Sequence, residues 1–220
     1  MKYQFSLIGV NPLLMHRDDV EAADVLDAWR KDPANKVSSK AGDDRSPAWT
    51  WSTYLYSDGT HVAMPQDNIM AALRHAGSAV SGGGRTTLKA KSQTALVIPD
   101  EFCTFTTWGK QISMGDIAAL RGMDFTSQSS KCRELGFRLF LKRAKIGQAK
   151  HVRVRPRFDE WRVDGVIEVA RYGDTDEISF EQLKLLFELA GRTAGLCDWR
   201  PSSKQSPGPY GQFRTELKKK

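Results

Sequence analysis

At 220 residues, 40% of them hydrophobic and 27% charged, the chain can bury one good core and has the composition of an ordinary soluble globular protein. No apolar run approaches the roughly 18 residues that span a bilayer, and the opening "MKYQFSLIGVNPLLM" reads as a strand of the mature protein, not a cleaved leader. The net charge of +7 makes an anionic partner plausible, while Cys103, Cys132 and Cys197 are too few and too scattered for a disulfide framework or a zinc knuckle.

The cysteine usage points to a reducing cytoplasm. With the four histidines equally dispersed, neither a metal nor a cofactor is expected. In chain order, "YQFSLIGV" alternates and is rich in β-formers, so a first strand is expected, closed by Asn11-Pro12. Val20, Ala23, Leu26 and Trp29 recur at helical spacing and predict a short amphipathic helix. From Arg30 to Pro47 the composition is that of a long polar loop.

"TWSTYLYSDGTHVAM" holds two β-rich runs around Ser57-Asp58-Gly59 and predicts a hairpin. Trp49, Trp51, Tyr54 and Tyr56 are expected there in the core or in a protomer contact. Pro65 ends the hairpin. Asp67 is a good N-cap for a helix over "NIMAALRHAG", with Ile69, Met70, Leu73 and Ala76 on one face and Gly77 as its stop. "SAVSGGGRTTLKAKSQ" reads as a flexible basic loop carrying Arg85, Lys89 and Lys91, and "TALVIPDEFCTFTTW" gives one or two strands. Residues 108–130 carry no pattern that assigns their elements.

The basic charge is concentrated. Residues 131–157 hold ten Lys and Arg against the single acid Glu134. "FRLFLKRAKI", "KHVRVRPRF" and "WRVDGVIEVARY" alternate cations with apolar residues as strands do, so Val152, Val154 and Pro156 belong to one face and Arg153, Arg155 and Arg157 to the other. Arg138, Lys142, Arg143 and Lys145 extend the basic row. Ser179 and Gln182 form a capping box, opening a helix whose Leu183, Leu186, Phe187 and Ala190 share a face. That helix runs through "GLCDWRPSSKQSPGPYGQF" into a last strand. The element order predicts an α+β fold, a ferredoxin-like antiparallel sheet with two helices on one face. One domain over residues 1–220 is expected, with insertions around 30–60, 78–92 and 108–130.

Two of these stretches carry a resemblance. In "MPQDNIMAALR", Pro65, Leu73 and Arg74 match a "PGSSLKGALR"-like helix start, with Asp67-Asn68 where small hydroxyl residues are usual. Gly195, Leu196, Arg200, Tyr210, Gly211 and Phe213 match a "GLGxxRxxGYGRF"-like loop, although Cys197 replaces its second glycine and Gln212 a basic residue. The chain thereby resembles the RAMP superfamily, the RNA-recognition-like proteins of CRISPR systems. It is most similar to the effector-backbone subunits, or to a stand-alone, phage-encoded relative of them. The resemblance implies binding of single-stranded RNA or DNA along a groove beside the glycine loop, by protomers assembled into an oligomer or filament.

The residue chemistry agrees with that implication. A basic stripe neutralises phosphates and releases counterions, glycines let backbone approach an anion closely, and aromatic side chains stack on bases. The expected contacts are Arg74, Arg85, Lys89, Lys91, Arg138, Lys142, Arg143, Lys145, Arg153, Arg155, Arg157, Gly195, Trp199, Arg200, Lys204, Tyr210 and Gly211. An alternative is a metal-independent endoribonuclease. His16, Asp18 and Asp19 follow the first strand, where some of the superfamily's backbone subunits place an acidic residue that cuts RNA, and His16 would be the general base. The same "HRDD" also reads as an ordinary charged helix start.

Overall fold

The structure is a computed structural model that describes every residue except 37, 40, 41, 147, 148 and 174, and leaves out the side chains of 144–150. The chain is α+β with mainly antiparallel strands. It divides into two compact units. The first comprises Met1–Leu13, Ala63–Gln111 and Glu160–Lys220, the second Leu14–Val62 and Ile112–Asp159. The stretch 30–60 and most of 108–130 therefore belong to the second unit, and 78–92 to the first.

In the first unit, six strands among the described residues form one sheet: β1 (Lys2–Gly9), β3 (Ala63–Pro65), β6 (Leu96–Val97), β7 (Phe102–Thr106), β10 (Arg162–Val169) and β13 (Phe213–Lys219). Their order is β13-β1-β10-β7-β3, with β6 also paired to β10. Alternation in β1 buries Tyr3, Phe5 and Leu7, and these lie opposite Ile167, Gly165 and Val163 of β10. Gly165 is what lets the Phe5 ring lie across β10, since a Cβ there would come 2.5 Å from the ring. The buried face receives α6 (Phe180–Leu189), whose Phe187 ring meets Phe5 at 5.5 Å and whose Phe180 stacks on Tyr3 at 5.5 Å. Against α6 packs α2 (Gln66–Gly77), with the expected Ile69, Met70, Leu73 and Ala76 buried.

Two local expectations need correction. The helix α2 starts at Gln66, so the N-cap position falls on the extended Pro65, which makes no side-chain capping bond, and Asp67 instead adds its charge to the first turn. The segment expected as a flexible loop folds into a small hairpin, β4 (Ser81–Gly83) with β5 (Thr86–Thr87), and a single turn, α3 (Lys91–Thr94). Gly83 and Gly84 adopt positive φ, which makes the reversal of that hairpin cheap. A second short ribbon pairs β11 (Arg171–Tyr172) with β12 (Thr175–Asp176).

In the second unit, α1 (Val20–Lys31) forms as expected, yet none of its residues is fully buried, and Val20 and Val25 are exposed. The predicted hairpin over 50–64 is replaced by a 3-10 turn at Thr50–Tyr54 and a single bridge between Ser57 and Val62. Trp51 explains the exchange. Its indole enters the core and donates to Gln128 Oε1 at 2.6 Å, a long-range bond that favours the turn over the local β-propensity. Gln128 belongs to α5 (Phe125–Glu134), preceded by α4 (Met114–Ala119), and Ser113 and Asp124 cap the two helices. A three-stranded sheet runs in the order β2-β9-β8, from β2 (Leu13–Leu14), β8 (Arg138–Ile146) and β9 (Ala149–Phe158).

Candidate functional site

In the second unit, the β8–β9 ribbon carries a row of cations. Its register sets Arg138 opposite Arg157, Phe140 opposite Arg155 and Lys142 opposite Arg153. Cross-strand partners share a face, and so do alternate residues along one strand. Five cations therefore occupy one side, with Phe140 among them. The reverse side buries Leu139, Val154 and Pro156. Arg143, opposite Val152, belongs to that reverse side and not to the row in which its residue type had placed it. The side chain of Lys145 lies outside the described residues.

Like charges directly opposite one another destabilise a sheet, and two carboxylates relieve part of the strain. Asp159 pairs with Arg138 at 2.6 Å and with Arg157 at 2.8 Å. Asp44, 2% exposed, accepts from Arg153 at 3.2 Å, from the Val154 N–H at 3.1 Å and from the Tyr54 hydroxyl at 3.2 Å. Burial raises the Asp159 pKa, but its bonds to Arg138 and Arg157 outweigh that and hold it below the usual carboxylate range. Burial, with the Asp44 charge, pushes the Tyr54 phenol up to about 12, so it stays a donor. The Arg157 guanidinium lies 5.7 Å from the Phe140 ring centre. Asp159 and Asp44 thus pair with three of the five cations on this face.

In the first unit, α6 ends in a π-turn at Ala190–Ala194 and runs into the glycine loop. Gly195, Cys197, Trp199 and Gly211 all adopt left-handed φ, between 56° and 72°. The Gly195 N–H donates to Ala190 O at 2.9 Å and the Gly211 N–H to Pro12 O at 2.8 Å. These two donors serve the fold. A Cβ on Gly211 would overlap the Leu196 carbonyl oxygen. Gly211→Ala combines that overlap with a left-handed φ, and is expected to destabilise the protein by about 3 kcal/mol in urea unfolding. Cys197 turns its thiol inward, 3.8 Å from Met64 Sδ, and burial raises its pKa to about 12.

The rings of Trp199 and Tyr210 stack on each other at 5.9 Å, and the indole N–H donates to Ser206 Oγ at 3.0 Å. Arg200 donates to Cys197 O at 2.6 Å and to Ser202 Oγ at 3.1 Å. It lines a cavity of about 270 Å³ with Lys204, Ser202, Asn68 and His75. Arg74 folds back onto Met70 O at 3.1 Å. Arg85 and Lys89 are exposed, and Lys91 pairs with Glu177 at 3.3 Å. On the outer face of the central sheet, Arg162 is held by Asp164 at 2.9 Å and Ser6 at 2.7 Å, so that cation has an adjacent acid.

Of the three residues considered for catalysis, two have evident local roles. The His16 ring meets Tyr54 edge-on at 4.4 Å. Asp19 caps α1, accepting from the Ala22 N–H at 3.2 Å, and pairs with Arg17 at 3.2 Å. Asp18 is exposed. Among the described residues, no group of three or more His, Cys, Asp and Glu is placed to hold a metal ion, and no helix is long and apolar enough to cross a membrane.

Sequence reasoning missed Asp44, Asp159 and Phe140. Asp159 stands two residues beyond Arg157, a spacing that puts it beside the arginine on the same strand face and was a readable signal. Asp44 lies in a polar stretch with no periodicity, and only the folded chain brings it to β9. No protein-family model matches the chain, and no curated protein matches it in sequence.

Proposed function

We propose that the protein binds single-stranded nucleic acid, RNA or DNA, with little sequence preference, through the basic face of the β8–β9 ribbon. One observation carries this reading: the register stacks cation opposite cation, Arg138 with Arg157 and Lys142 with Arg153, so that with Arg155 five positive charges share one face of the ribbon. A polyanion neutralises such a row, and its condensed counterions are released as it does so. Phe140, set among the cations, favours unpaired bases, whose faces a duplex conceals.

The first unit supports the finer reading of fold and family. Taken in chain order, β1, α2, β7, β10, α6 and β13 form a βαββαβ unit with strands ordered fourth, first, third, second. That is a ferredoxin-like order, with β3 and β6 as additions and the glycine loop between the last helix and the last strand, as in the RAMP superfamily. Protomers assembled along the bound strand, in the cytoplasm, belong to the same reading.

Gel shifts with single- and double-stranded oligonucleotides across a salt series test it. Single strands should bind in preference, with log K falling against log salt at a slope of about −2 to −4, as for three to five phosphate contacts. Absent binding, or equal affinity for duplex, would sink the proposal.

A further inference from the structure

The second unit also holds a groove of about 650 Å³ that the basic ribbon does not include. Its walls come from three places: Trp29 of α1, the segment 43–49 with Arg45 and Trp49, and the approach to α5 with Arg121, Met123 and Phe125. The Arg121 guanidinium lies over the Trp49 ring, 4.3 Å from its centre, with the indole buried and the arginine exposed. Trp29 and Phe125 are half-buried and Met123 is 38% exposed. Flat aromatic and guanidinium surfaces around a space of this size suit a planar heteroaromatic ring.

The segment that walls the groove is also the segment tied to the ribbon. Asp44 donates its N–H to Val152 O at 3.0 Å, and its carboxylate holds Arg153 and the Val154 N–H. Arg45 follows directly and is clasped by Asp43 at 2.6 Å. One short stretch of chain, 43–49, thus faces the cationic strand on one side and the aromatic groove on the other.

We infer that this groove is a base-binding subsite, which takes an unpaired nucleobase of the strand whose phosphates lie along the ribbon. The inference rests on the proposed function and adds to it where the bases go. Charge fixes the strand on β8–β9, and the groove stacks a base against Trp29 and the exposed Arg121. The contact is indifferent to sequence, because every base offers a π-face.

Two variants and two ligands test this. Trp29→Ala removes a ring from a helix in which no residue is fully buried, and Arg121→Lys keeps the charge but loses the plane. Each is titrated with a single-stranded oligonucleotide and with an abasic strand carrying the same number of phosphates. Each variant should bind the oligonucleotide about 5- to 150-fold more weakly, as for one lost stack, with an unchanged salt slope. Both should match the unaltered protein on the abasic strand. If the unaltered protein binds the oligonucleotide and both variants bind it equally well, or lose as much on the abasic strand, the groove is not a base site. Such a result leaves the proposed function standing and favours a different occupant, such as a peptide. If the unaltered protein binds no single strand at all, both ideas fall together.

Discussion

Replacing Lys142 and Arg155 together by alanine is expected to weaken single-strand binding about 25-fold at about 0.1 M salt and to flatten the slope of log K against log salt by about 1.4, as for two lost phosphate contacts. These two are the informative choice on the basic face. Arg138, Arg153 and Arg157 also hold Asp159 and Asp44 in place, so their loss would mix binding with folding. Removing Lys142 and Arg155 takes charge from the same face without touching those three ion pairs, and thermal denaturation of the double variant separates lost binding from lost stability. Arg143→Ala is the control, because its register partner Val152 puts it on the reverse side of the ribbon, and its effect should stay within about twofold. Fluorescence anisotropy at several salt concentrations reads both quantities. An unchanged slope in the double variant would remove the ribbon from the interface.

The largest stability effect is expected at Asp44. Its carboxylate is 3% exposed and accepts from a guanidinium, a backbone N–H and a phenol at once. Alanine there leaves the half-buried Arg153 without its ion-pair partner and the buried Val154 N–H without an acceptor. Breaking a buried pair from one side costs about 3 to 5 kcal/mol, which for a chain of this size lowers Tm by about 10 °C. Asp44→Asn should cost less, because an amide oxygen still accepts from Val154 while the charge is lost. Calorimetry or thermal denaturation followed by circular dichroism distinguishes the two. A fall of under about 1 kcal/mol for alanine would mean that the segment 43–49 is held to β9 by its backbone bonds alone.

What could be read from the residues follows from how local each cause is. Alternation in β1, the capping box at Ser179 and Gln182, and the face formed by Ile69, Leu73 and Ala76 all act within a few residues, and each yields the expected element. Trp51 shows the opposite case. The run around it is β-rich, but its partner Gln128 is 77 positions away, and that distant bond selects a 3-10 turn over a strand. The helix α5 escaped for a related reason. It buries only Gln128 and Cys132, so no apolar stripe marks it. Concentrated charge in 131–157 was visible from composition. The register that sets cations face to face, and the acids that temper them, were not, because register depends on the turn and on both strands together.

The glycine loop has a consequence for how this protein can vary. Leu196 is bonded to Gly211 at 2.9 Å, and Tyr210 to Trp199 at 3.3 Å, so the two ends of the loop are joined before the chain leaves the fold. The residues between Arg200 and Pro209 form an excursion whose closure is already paid for by those bonds. Doubling the length of such a segment adds only about 0.6 kcal/mol of closure entropy. Lengthening that excursion is therefore expected to cost the sheet little stability, whereas Gly195 and Gly211, at its two ends, tolerate no side chain.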